Sequence, residues 1–186
     1  MKPSKMNHVI ERVLVSNEDI MRRIDEMAAQ IERDYAGQEL VCVGILKGSV
    51  YFFSQLTMRI DMPLALDFMA ISSYGAATKS SGVVQMIKDI SIPVDGKHVL
   101  IVEDIVDSGL TLHYLLENIA ARQAASVKVC TLLDKPSRRK VALQPDYCGF
   151  EIENHFVVGF GLDYAEKYRN LPDIGILKPE VYEEKA

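Results

Sequence analysis

The sequence predicts an α/β fold, a mostly parallel twisted sheet flanked by helices with a small additional lobe. Three observations predict it. Apolar, β-branched runs alternate with segments of helical period from about residue 16 to residue 133. Those runs are continuously apolar, as in Val99-Leu100-Ile101-Val102, the pattern of strands buried on both faces. Unusual polar loops recur where such runs end, and open parallel sheets bind ligands outside the carboxyl ends of their strands.

In chain order, Ser16-x-x-Asp19 followed by Ile20, Ile24, Met27, Ala28 and Ile31 predicts a capped amphipathic helix ending near Gly37. Glu39 to Leu46 is expected as a buried strand and Ser49 to Ile60 as a helix carrying Phe52, Phe53, Leu56 and Ile60. Pro63 opens a strand to Ile71. Ser72 to Gly82 is small and polar with little to bury, and a loop of that length in a compact domain is usually functional. Val83 to Lys88 returns as a strand, and Pro93 and Gly96 turn the chain toward the strand that begins at Val99. Leu110 to Ala121 is expected as helix and Val127 to Leu133 as strand. After Pro145 short strands at Gly149 to Ile152 and Phe156 to Phe160 are expected to begin a small lobe over the site. The expected organisation is one domain over 1–186, with a core of about 16–140 and a hood from the N-terminal segment and about 145–186.

Composition narrows the classes. At 186 residues, 48% hydrophobic and 25% charged, the chain suits one globular domain rather than a disordered or fibrous protein. A net charge of −5 argues against a broad nucleic-acid-binding face, which needs clustered cations, so no nucleic-acid partner is expected. No run approaches the roughly 18 apolar residues of a membrane span. The opening residues lack the apolar core of a signal peptide, so the cytoplasm is the expected compartment. Cys42, Cys130 and Cys148 are odd in number and form no Cys-x-x-Cys, which favours buried thiols over disulfides or zinc ligands.

Three loops carry the chemistry: Lys47-Gly48-Ser49, Glu103 to Thr111, and Asp134 to Arg139. Glu103, Asp104 and Asp107 place three acids in five residues at a strand end, and such acids repel unless something positive joins them. Asp107-Ser108-Gly109-Leu110-Thr111 then leads into a helix. Amides at a helix N-terminus, a glycine permitting close approach and two hydroxyls suit a phosphate dianion. Neither a Walker A sequence nor Gly-x-Gly-x-x-Gly is present, which disfavours P-loop hydrolysis and dinucleotide binding. Glu103 and Asp104 suit a vicinal diol or a magnesium ion held through oxygen ligands. Lys135, Arg138, Arg139 and Lys140 form the one basic cluster of note, read on its own equally well as a solvated loop.

The segment Glu103-Asp104-Ile-Val-Asp107-Ser-Gly-Leu-Thr111 resembles the phosphoribosyl diphosphate motif of type I phosphoribosyltransferases. Leu46-Lys47-Gly48-Ser49, Ser72-Ser73-Tyr74-Gly75 and the run from Phe156 to Arg169 narrow the resemblance to the hypoxanthine-guanine branch, over about Glu11 to Leu177. The resemblance implies a type I phosphoribosyltransferase fold and transfer of a 5-phosphoribosyl group from 5-phosphoribosyl 1-diphosphate to N9 of a 6-oxopurine. It implies that Glu103 and Asp104 face the ribose and a Mg²⁺, while Asp107, Ser108, Gly109, Leu110 and Thr111 hold the 5′-phosphate. Asp107 is also the implied acid/base residue at purine N7. Lys47, Gly48 and Arg169 would bind pyrophosphate, with a cis peptide between Leu46 and Lys47, and Ser73 and Tyr74 would lie on a lid. Lys135, Phe156, Val157 and Asp163 are the implied purine contacts, with Asp163 also beside a second Mg²⁺. Leu110 stands where some relatives carry lysine, so a cationic contact there is lost. His8, His98, His113 and His155 fall outside the matched contacts.

Two rival readings are a regulator on the same fold that binds nucleotide and RNA, which would need a basic surface, and another transferase, one preferring xanthine or acting on a pyrimidine. The resemblance implies a homodimer or homotetramer. It does not separate hypoxanthine from guanine.

Overall fold

Strand and helix alternate through the chain much as the hydrophobic pattern requires. The computed structural model describes residues 6–73 and 84–182. A 3-10 turn at Asn7–Val9 precedes β1 (Ile10–Val15), α1 (Asn17–Asp34), β2 (Leu40–Leu46), α2 (Val50–Thr57), β3 (Leu64–Ser73) and β4 (Val84–Lys88). There follow β5 (His98–Val106), α3 (Leu110–Ala120), β6 (Ser126–Asp134), a 3-10 turn at Pro136–Arg138, β7 (Tyr147–Glu151), β8 (Val157–Val158), β9 (Ile174–Leu177) and α4 (Pro179–Tyr182).

The main sheet has the order β4-β3-β2-β5-β6-β7, parallel except for the antiparallel β3–β4 pair. Strand alternation explains why its central strands are apolar throughout. Leu40 and Cys42 of β2 and Leu100 and Val102 of β5 pack with Ile20, Ile24, Phe52 and Phe53 of α1 and α2. Their neighbours Val41, Val43, Val99 and Ile101 pack on the other face with Leu112, Leu115 and Ile119 of α3. Each such fully buried side chain contributes about 1.5–3 kcal/mol before conformational entropy is counted. The Ser16 hydroxyl caps α1, accepting from the Asp19 amide at 3.2 Å.

Sequential connection runs from β2 outward to β3 and β4, then returns across β2 to β5 and runs outward the other way. The chain therefore reverses direction between β2 and β5, and the carboxyl ends of these two strands flank a crevice at that switch point.

A second sheet, β1-β9-β8, forms the small lobe. Ile10 pairs with Leu177 and Val15 with Ile174, and Val157 pairs with Ile176, all antiparallel. The start of α1 is tied to it by Asn17, whose amide donates to Asp173 Oδ1 at 2.8 Å.

Four expectations change. The segment after Pro145 first adds β7 to the main sheet beside β6, so the lobe's chain departs only beyond residue 151. The strand expected at Phe156 to Phe160 shortens to Val157–Val158, because Gly159, Phe160 and Gly161 take positive φ values of 102°, 48° and 105°. β1 and β9 have no counterpart in the sequence reading. Helix α2 also closes at Thr57 rather than Ile60.

Candidate active site

The three loops singled out in sequence meet on one side of the main sheet because β2, β5 and β6 are parallel and end together. Two adjoining clefts open there. The larger, about 820 Å³, is lined by Lys47, Gly48, Glu103, Asp104, Asp107 to Gly109, Thr111, Asp163, Glu166 and Arg169, among others. The smaller, about 530 Å³, includes Lys135, Arg138, His155, Phe156, Val157, Leu162 and Tyr182. Asp104, Ile105, Asp107 and Asp163 line both, so these residues stand where the clefts join. Two small-molecule clefts sharing a wall suit two substrates that must react with each other.

Backbone contact closes the junction. The peptide between Leu46 and Lys47 is cis, as the resemblance implied. A methyl group on Gly48 would overlap Asp104 Oδ2, with Oδ1 at 3.0 Å, so the loop after β2 lies directly against the carboxylate of β5. Gly161 of the lobe in turn lies on the Gly48 carbonyl, and a methyl there would overlap its oxygen with the carbonyl carbon 3.1 Å away. The stack Gly161, Gly48, Asp104 thus seats the lobe on the core through the site itself.

At the phosphate loop, Gly109 has φ 79° and stands at the N-cap of α3 without a side-chain cap. The first turn of α3 therefore opens on the larger cleft, with Ser108 and Thr111 beside it. Leu110 is 47% exposed and adds no cation. The loop is held from behind: Arg139 Nη1 donates to the Asp107 carbonyl at 2.7 Å, and the Lys140 amide donates to the Ser108 carbonyl at 2.9 Å. Arg139 is itself fixed by an ion pair to Asp134 and by donation from Nε to the Leu143 carbonyl at 3.0 Å. The Asp107 carboxylate meets Arg138 Nε at 3.1 Å.

Burial pushes the Glu103 carboxyl well above the usual carboxylate range, and the adjacent charge of Asp104 adds to the effect. Burial raises Asp104 as well. Two such neighbours favour a divalent cation, which relieves their repulsion. Among the described residues no three His, Cys, Asp or Glu side chains converge as a metal cage. This donor set fits an ion that keeps waters and takes further oxygens from a substrate, as Mg²⁺ does. Asp163 is differently engaged: Oδ1 meets Arg169 Nη2 at 2.9 Å and Oδ2 accepts from the Glu166 amide at 2.8 Å.

Lys47 Nζ pairs with Glu166 Oε2 at 2.9 Å, and Arg169 Nη1 donates to the Gly161 carbonyl at 2.8 Å. The Lys47 ammonium, by hydrogen bond and charge, holds Glu166 below the usual range. In the smaller cleft Lys135 is buried and donates to the His155 carbonyl at 2.7 Å; burial lowers its pKa. Phe156 is 40% exposed and Val157 buried. Ser73 ends β3, while its side chain and Tyr74 lie outside the described residues.

Sequence reasoning missed Glu166, Arg139 as a structural clamp, Ile105 and the tyrosines beside Phe156. The Asp134 to Arg139 spacing of five carries no helical or strand signal that would have paired them.

The profile of the family described as "Phosphoribosyl transferase domain" matches residues 13–165. The hypoxanthine-guanine phosphoribosyltransferase of Bacillus subtilis is 52% identical over 178 residues, covering 96% of this chain and 99% of that protein. A crystal structure of a hypoxanthine phosphoribosyltransferase from Staphylococcus aureus superposes with a TM-score of 0.95 at 49% identity, covering 99% of this chain and 100% of the other. A hypoxanthine-guanine phosphoribosyltransferase structure from Bacillus anthracis superposes with a TM-score of 0.87 at 47% identity, covering 91% and 99%.

Proposed function

This chain belongs to the phosphoribosyltransferase family, and from that membership we propose that it is a purine-salvage enzyme whose acceptor is a 6-oxopurine. It moves the 5-phosphoribosyl group from 5-phosphoribosyl 1-diphosphate to N9 of hypoxanthine, and of guanine, giving IMP or GMP and pyrophosphate. The observation that carries this reading is the pair of clefts joined at Asp104, Ile105, Asp107 and Asp163, one rich in anion-binding groups and one lined by a ring and a buried lysine.

The residues divide the work by position. The Asp107 to Thr111 loop and the start of α3 receive the 5′-phosphate. Lys47, the Gly48 backbone and Arg169 receive the pyrophosphate, and its departure is eased as its charge meets these donors. Glu103 and Asp104 accept from the ribose hydroxyls and would hold Mg²⁺, with Asp163 beside a second ion. Bound Mg²⁺ would supply positive charge to the diphosphate oxygens. Lys135, with donors left beyond the one spent on the His155 carbonyl, recognises the 6-oxo group. Phe156 stacks on the base and Val157 and Asp163 border it. Asp107, at the junction, accepts the proton from N7 as N9 attacks C1. Ser73 and Tyr74 belong to the lid that keeps water from the sugar cation.

The same reading takes 1–186 as one domain with a hood, a homodimer or homotetramer, in the cytoplasm. No described helix is long and apolar enough to cross a membrane. The test is pyrophosphate release with the ribosyl donor, Mg²⁺ and hypoxanthine, guanine, xanthine, adenine or uracil in turn. Release with the first two and little with the others is expected; silence with all five would sink the reading.

A further inference from the structure

The base cleft contains one more aromatic ring than phosphoribosyl transfer accounts for. Tyr182, the last residue of α4, lies face to face with Phe156, ring centroids 4.9 Å apart and planes 18° apart. Tyr164 stands edge-on to Phe156 at 5.6 Å and to Tyr182 at 6.4 Å. Tyr182 lines the smaller cleft together with Asp107, Lys135 and Phe156.

Phe156 is exposed, so core packing does not fix its ring; among the described residues, the rings that meet it are these two tyrosines. Their placement is not incidental to the fold. The Leu177 amide donates to the Phe156 carbonyl at 2.9 Å, so the chain leading to Tyr182 is bonded to Phe156 itself. Val181 and Tyr182 then pack on the cluster of Val9, Val158, Leu171 and Leu177.

We propose that Tyr182 is a positioning residue for the purine. It backs one face of Phe156 and so presents the other face, already oriented, to a flat heteroaromatic base. A ring held in its stacking orientation before the base arrives loses less freedom on binding. The contribution falls on the base and not on the ribosyl diphosphate, whose contacts lie in the larger cleft. This inference rests on the reading that the smaller cleft takes the base.

The experiment compares wild type, Tyr182→Ala and Tyr182→Phe by steady-state kinetics with hypoxanthine and the ribosyl donor varied separately. Calorimetric titration of IMP and thermal melts accompany it. Tyr182→Ala is expected to raise the KM for hypoxanthine by about three- to tenfold, the worth of one aromatic pair. Its kcat and donor KM stay within about twofold, and IMP binding weakens in parallel with the hypoxanthine KM. Tyr182→Phe keeps the ring and restores the base KM. An unchanged base KM overturns the proposal, as does a parallel rise in both KM values, which marks a merely structural role. A lowered base KM also overturns it, since Tyr182 would then compete with the base for Phe156. If the wild type binds IMP but releases no pyrophosphate with any base, the transferase reading fails, and the change in IMP affinity decides the role of Tyr182 alone.

Discussion

Replacing Gly161 with alanine tests the seating of the lobe on the core at a single atom. The added methyl would overlap the Gly48 carbonyl oxygen, and that oxygen belongs to a backbone packed against Asp104. No flexible side-chain end can yield, so relief takes a displacement of more than about 1 Å between the lobe and the loop after β2. Alanine must also adopt φ 105°. Overpacking contributes about 1–3 kcal/mol and the backbone conformation a similar amount, so a loss of about 2–6 kcal/mol is expected. In a chain of this size that lowers Tm by about 4–24 °C. The displacement also moves Arg169, which is bonded to Gly161 in both directions at 2.9 and 2.8 Å. A misplacement of about 1 Å in a reacting site costs on the order of a hundredfold in turnover. The assay is pyrophosphate release under saturating donor and hypoxanthine, at a temperature well below the variant's melt. A variant that melts like wild type and turns over within twofold of it would refute both the packing and the placement of pyrophosphate at Gly48.

Asp107→Ala is expected to lower kcat by about 10²- to 10⁴-fold while hypoxanthine affinity changes much less, because the lost group is the proton acceptor; undiminished turnover removes that role. Arg139→Gln breaks a buried ion pair with Asp134 and releases the Asp107 carbonyl, so chemical denaturation should show a loss of about 3–5 kcal/mol, together with a raised donor KM; full stability would show that the clamp is idle. Burial alone would raise Asp67, but hydrogen bonds from Lys88 and from the Ser91, Phe68 and Ile92 amides outweigh it and hold the carboxyl well below the usual range. A depressed folded pKa stabilises above the unfolded value of about 3.9 and is lost as pH falls toward the folded one. Urea midpoints of wild type and Asp67→Asn should therefore differ most near neutrality and converge in acid, and a constant gap would contradict the assignment. Burial pushes Cys42 up to about 12 and Cys148 up to about 11, so mass spectrometry after iodoacetamide at pH 7.5 should find both slow to alkylate, and prompt labelling would contradict the burial.

Much of the core was readable because its signals are local. Ser16 caps α1, and its apolar stripe Ile20, Ile24, Met27, Ala28 and Ile31 is the buried face. The apolar runs at β2 and β6 are strands at nearly the expected bounds, whereas β5 continues past the expected end at Val102 through Glu103 and Asp104 to Val106, because its ladder to β6 continues there. The lobe was less readable. β1 has mostly exposed or half-buried residues and register shifts against β9, while β9 is four residues between Pro172 and Pro179. Each exists only because the other end of the chain pairs with it, and no window of sequence contains both.

The sequence by itself determined which segments carry charge and roughly where they leave the sheet: Lys47-Gly48, Asp107 to Thr111 and Lys135 each follow an apolar strand, and local periodicity places those strands, although β5 runs on through Glu103 and Asp104. Tertiary structure alone decided how those loops meet. Gly161 against Gly48, Gly48 against Asp104, Arg139 under Asp107 and Tyr182 on Phe156 join residues of unrelated spacing. Such contacts depend on the distance between packed backbones, which sequence periodicity does not encode.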